Sequence, residues 1–204
     1  MFKNERGNSI IEVMVVIVIL TIGITGAYGI LDSGQKLSAT SENRIKAINI
    51  AREGMESVEN IRDTNWIKFS SDYEHCWKVK DYNAECIGVS GREFSSGSYV
   101  LVQSGVLWTL SGTIVPSPTY STYRDQFPLF LNDKGLTSNS GSSTKCTSSI
   151  TANCRTIYTR EIQISHPDSD HMKVNSIVTW VDSSKRGSHT INLETILTNW
   201  KKKF

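Results

Sequence analysis

Proline is scarce, at 4 of 204 residues, and glycine numbers only 14, so with 9% aromatic residues the collagen-like, coiled-coil and fully disordered classes are excluded. Charge of one sign is also missing. With 22 basic and 20 acidic residues the formal net charge is +2, too little for a broad phosphate-binding surface. No Gly-x-Ser-x-Gly elbow, phosphate-cradling glycine loop, His-Glu-x-x-His or Cys-x-x-Cys occurs, which removes the commonest signatures of hydrolases, nucleotide-binding enzymes, zinc proteases and redox or zinc-ribbon sites. Neither a catalytic residue nor a cofactor is therefore expected, and the chain reads as a non-enzyme. A length of 204 residues suits one domain with an appendage.

What the chain does contain is one concentrated apolar run. Ile10 to Leu31 holds 16 hydrophobic residues in 22 and a single charge, Glu12. As a helix this segment spans about 33 Å, enough for a hydrocarbon core of about 30 Å. Lys3 and Arg6 precede it and Asp32 follows, so the positive-inside bias places the N-terminus in the cytoplasm and the 173 following residues outside. An uncleaved anchor and a secretory signal peptide cut after Gly29 are both compatible with the run itself. Glu12 adds a constraint: a carboxylate in an apolar helix costs several kcal/mol unless it is paired, so it implies a partner.

Gly7-Asn8-Ser9-Ile10-Ile11-Glu12-Val13-Met14 resembles the class III signal of type IV prepilins, a short basic leader ending in Gly followed by an apolar helix with Glu at the fifth mature position. The resemblance implies cleavage between Gly7 and Asn8 by a prepilin peptidase, methylation of the new N-terminus, and a role for Glu12 in assembly through the freed amine of a neighbouring subunit. Family members usually begin the mature chain with a hydrophobic residue, and Asn8 departs from that, which suits a minor component. Residues Ala51 to Glu56 and Asn60 to Trp66 further resemble V-type minor pilins. The implied partners are other pilin subunits, the prepilin peptidase, the assembly platform and the membrane. Nucleic acid is not expected among them. The implied location is a single-pass membrane protein before assembly, then an extracellular pilus or a periplasm-like space. A pseudopilin of a type II secretion or DNA-uptake machine carries the same signal, and a membrane-anchored binding or enzymatic ectodomain is the alternative from another class.

The organisation expected is a leader over residues 1–7, an assembly helix over 8–31, its amphipathic continuation over 32–62, and an outer domain over 63–204. The continuation rests on Ile45, Ile48, Ala51, Met55, Val58 and Ile61, spaced three and four apart as one buried stripe. Asp63-Thr64-Asn65 reads as the helix stop, with Trp66 folding back as a cap over the sheet. Strands are expected at Ser98–Gln103, Val106–Leu110, Phe127–Leu131, Tyr158–Ser165, Lys173–Val181 and Thr190–Leu197, with turns at Ser104-Gly105, Asn132-Asp133-Lys134-Gly135 and Asp182 to Gly187. The fold class is α+β, a long N-terminal helix packed on an antiparallel sheet.

Thr137 to Asn153, with ten Ser or Thr in 17 residues, reads as an exposed loop. Cys76, Cys86, Cys146 and Cys154 all follow the apolar run, where an oxidising compartment favours disulfides. Of the three possible pairings, Cys76 with Cys86 and Cys146 with Cys154 close the shortest loops, and a zinc site is the rival. Glu74-His75-Cys76 sets a thiol beside an imidazole, and His166, Asp168, Asp170 and His171 crowd one connection. Turn chemistry explains the second group, and no metal site is expected. Lys201-Lys202-Lys203 reads as a solvated basic end that in a filament tip is able to touch DNA or an anionic surface.

Overall fold

The computed structural model describes residues 10–80, 82–91, 93–132, 137–139, 141–147, 149–181 and 187–201. Three sequence features lie outside these residues: the expected leader over 1–7 with the expected cleavage point between Gly7 and Asn8, the turn residues 133–136 and 182–186, and Lys202 with Lys203.

Helix α1 runs without a break over Ile10–Lys68, and the chain divides within it into two compact units, Met1–Arg44 and Ile45–Phe204. In the first unit the described residues are helical and exposed, apart from the half-exposed Asn43. The hydroxyls among its apolar residues are satisfied locally: Thr21 donates to the carbonyl of Val18, Thr25 to Thr21 and Ser33 to Gly29. Such back-bonding lets a hydroxyl sit in an apolar surrounding without an orphaned donor.

In the second unit, residues 45–68 of α1 pack on a sheet. The strands are β1 (Gly97–Tyr99), β2 (Leu101–Ser104), β3 (Leu107–Leu110), β4 (Pro128–Leu131), β5 (Thr137–Ser138), β6 (Cys154–Ser165), β7 (His171–Val181) and β8 (Ser188–Thr198). The main sheet has the order β5-β4-β6-β7-β8, and β1 joins β6 on the edge that β4 leaves free. All its strand pairs are antiparallel. β2 and β3 make a separate hairpin whose turn holds Gly105 at φ +63°, the left-handed region that favours glycine. The three long strands sit where alternation placed them, with Met172, Val174, Val178 and Trp180 of β7 buried toward the helix.

The buried stripe of α1 is rotated from the one the large apolar residues suggest. It consists of Ala47, Ile50, Ala51, Gly54, Ser57, Val58, Ile61 and Asn65, whereas Ile45 is 60% exposed and Ile48 and Met55 are half-buried. The reason is close approach. A Cβ on Gly54 would stand 2.5 Å from Ser176 Oγ and 3.1 Å from both Arg160 Cδ and Ile162 Cδ1, so small residues face the strands and larger ones flank them.

The helix also passes the expected stop. Asp63, Thr64 and Asn65 are helical, and Trp66 lies on the last turn, buried from there rather than folded back. The side-chain amide of Asn65 donates to the carbonyl of Val79 at 2.7 Å and ties the last turns of α1 to the following loop. The start of the Ser/Thr-rich segment is likewise not an exposed loop. Thr137 and Ser138 form β5, and Thr137, Ser138 and Asn139 are buried.

On the sheet face away from α1, helix α3 (Tyr120–Gln126) docks through Tyr123, whose hydroxyl donates to Glu161 Oε2 at 2.7 Å. Ser98 donates to the other carboxylate oxygen at 2.5 Å. Burial, and then the bond and charge of Glu161, push the Tyr123 phenol pKa upward, so it stays a donor.

Candidate functional site: the N-terminal helix

Every described residue of the apolar run is exposed, and its best 18-residue window has a mean hydropathy of 2.5 with no part buried. A soluble protein rarely leaves such an area uncovered, so this surface is built for lipid or for other helices. Glu12 stands exposed in the first turn of α1. Gly23, Gly26 and Gly29 have no atom within 4 Å of where a Cβ would sit, so they leave shallow, open backbone along the helix. The structure places them in continuous helix, with no break at the glycines.

The other residues singled out in the sequence resolve into structural roles. Cys76 pairs with Cys86, joining the short helix α2 (Tyr73–Cys76) to the 3-10 turn Ala84–Cys86, and Cys146 pairs with Cys154 at the start of β6. With Cys76 bonded, the Glu74-His75-Cys76 sequence offers no thiol. His75 instead turns its Nδ1 to Asp72, 2.8 Å from Oδ2. Burial works against that carboxylate, yet the N–H groups of Gly88 and His75 and the imidazole outweigh it and hold the Asp72 pKa below its ordinary value.

The crowded connection between β6 and β7 does not converge either. His171 Nδ1 lies 2.7 Å from Asp168 Oδ1, while His166 stands edge-on to Phe94 and near Ser96. Among the described residues no three His, Cys, Asp or Glu side chains are grouped to hold a metal ion.

One buried constellation has no counterpart in the sequence reading. Arg160 on β6 is completely buried, with Nη1 3.5 Å from Glu53 Oε1 on α1 and 3.3 Å from the Thr137 hydroxyl, to which it donates. Thr137 donates in turn to the Glu53 carboxylate. Burial lowers the Arg160 pKa and the Glu53 charge opposes that shift. The signal was present in strand parity: Arg160 shares the inward face with Tyr158, Ile162 and Ile164, and an arginine there needs a carboxylate. It is a structural brace between helix, β5 and β6.

The family model of the prokaryotic N-terminal methylation motif matches residues 2–28. No curated protein and no solved structure matches the chain. The chain thus carries a prepilin-type N-terminal motif on a long apolar helix, and this fits the type IV pilin family. The motif implies processing by a prepilin peptidase and assembly with other pilins, and the helix is typical of a membrane-anchored pilin precursor.

Proposed function

We propose that the chain is a structural, non-enzymatic minor pilin of a type IV pilus, cleaved between Gly7 and Asn8 and assembled through its N-terminal helix. The observation that carries this reading is the coincidence of the matched motif with a helix whose apolar surface is entirely uncovered. In the bilayer that surface meets lipid, and in a filament it meets the same surface of neighbouring subunits. Leaving lipid for protein changes little hydrophobic energy, so packing and polar pairing decide assembly. Glu12 supplies the polar pairing: cleavage creates a cationic amine at Asn8, and a carboxylate on the adjacent subunit recovers part of its own desolvation cost by meeting it. A pair of this kind also sets register. Asn8 as the first mature residue and the likeness over Ala51 to Trp66 favour a minor subunit over the main repeating one. The mature chain then lies on the outer side of the membrane, with the sheet domain displayed and its disulfides formed in an oxidising space.

Mass spectrometry of the mature N-terminus tests the processing step, and a chain beginning at Asn8 is expected. A chain of unchanged size after the prepilin peptidase is blocked would remove this reading. For the assembly step, Glu12→Ala is expected to be cleaved normally yet to enter filaments poorly; equal incorporation of variant and parent refutes the pairing.

A further inference from the structure

Where β8 ends, the second unit presents an aromatic and cationic cluster with one exposed indole. Trp200, just past β8, is 66% exposed and meets the buried Trp66 edge-on, with ring centroids 5.2 Å apart at 73°. The Lys201 ammonium lies 5.1 Å from the Trp66 ring, 5.3 Å from Trp200 and 6.0 Å from Tyr73, and the Arg62 guanidinium sits 4.5 Å from the Trp66 centroid. Asn199 fixes this segment: its Oδ1 accepts from Trp66 Nε1, its Nδ2 donates to the Tyr73 carbonyl, and its N–H donates to the Asp170 carbonyl. The exposed indole is therefore held in place before any ligand arrives, which lowers the ordering cost of binding. Arg62 is neutralised by Asp63, but among the described residues Lys201 has no carboxylate partner.

We propose that Trp200 and Lys201 form a binding site for an acidic polysaccharide, the indole stacking on a sugar ring and the Lys201 ammonium meeting a carboxylate. Charge complementarity argues for the anion: the Lys201 ammonium, with no carboxylate partner among the described residues, lies 5.3 Å from the ring of the exposed Trp200. One exposed indole in this cluster and a net charge of only +2 argue against single-stranded nucleic acid, which is held by successive stacking platforms in a strongly positive groove. The site does not depend on the pilin reading, because none of its residues lies in the N-terminal helix segment that carries the motif.

Binding is measured by calorimetry on the full chain in detergent micelles, with oligouronate from alginate as the probe and neutral dextran and a single-stranded oligonucleotide as comparators. Oligouronate is expected to bind best and to weaken with salt, Trp200→Ala and Lys201→Gln each to reduce affinity about tenfold, and Ile67→Ala, on an exposed part of α1, to leave it unchanged. Near-UV circular dichroism verifies that each variant is folded. Absence of binding, equal affinity for dextran, tighter binding of the oligonucleotide, or unchanged affinity in folded Trp200→Ala or Lys201→Gln overturns the proposal. Processing at Asn8 is read independently of any of these results.

Discussion

Removing either partner of the Glu53–Arg160 brace should have very unequal effects. Arg160 is fully buried, with Nε and Nη2 lacking a partner, whereas the Glu53 side chain is 31% exposed. At 3.5 Å and an effective dielectric near 20, the attraction between the two charges is about 5 kcal/mol, and it offsets the desolvation of the guanidinium. Glu53→Ala leaves that cation with the Thr137 hydroxyl and the Trp108 ring 6.0 Å away but no carboxylate, an uncompensated buried charge that costs about 3 to 5 kcal/mol. Arg160→Met removes the buried charge itself, fills similar volume, and leaves Glu53 with water and Thr137, so its cost should be about 1 kcal/mol or less. Urea unfolding of the full chain in detergent, followed by tryptophan fluorescence, measures both. In thermal scans a loss of about 4 kcal/mol corresponds to a Tm lower by roughly 8 to 16 °C for a domain of this size. If Arg160→Met were as destabilising as Glu53→Ala, or if Glu53→Ala cost under about 1 kcal/mol, the guanidinium would not be trapped as described.

Two further outcomes follow from the second unit. Replacing Cys76 and Cys86 with Ser opens a loop of sequence separation 10 and should lower stability by about 2 to 3 kcal/mol in the chain-entropy model; an unchanged urea midpoint would contradict it. The depressed Asp72 pKa gives a pH dependence of definite sign. Its contribution is fully present above the unfolded carboxylate value near 3.8 and is lost as pH falls through the lower folded value, so Asp72→Asn should flatten the decline of Tm below about pH 4. An identical acid limb in variant and parent would show that the Gly88 and His75 bonds do not hold the carboxylate ionised.

How far the sequence could be read depended on the range of the interactions involved. The apolar run, Glu12 and the N-terminal motif are local in the chain, and a bilayer selects on composition and length alone, so they needed no tertiary information. β6, β7 and β8 were visible because alternation is a two-residue pattern that one buried face imposes. β5 was hidden because two residues carry no periodicity, and the Thr137 hydroxyl finds its partners in Glu53 and Arg160, 84 and 23 positions away.

The phase of α1 shows where the two kinds of information part. Hydrophobicity ranked Ile45, Ile48 and Met55 as inward, and that a helix would form there and bury one stripe was already set by residue spacing. Which stripe was buried depended on the sheet. Ser176, Arg160 and Ile162 leave room at Gly54 only for hydrogen, so the small residues turn inward and Ile45 turns out. By itself the sequence determined the lipid-seeking helix, its processing signal and the long strands, because these rest on solvent preference and short-range periodicity. Only the tertiary structure decided the helix phase, the buried Glu53–Arg160 brace and the gathering of Trp66 and Trp200 around Lys201, because those depend on which distant side chains have to share space.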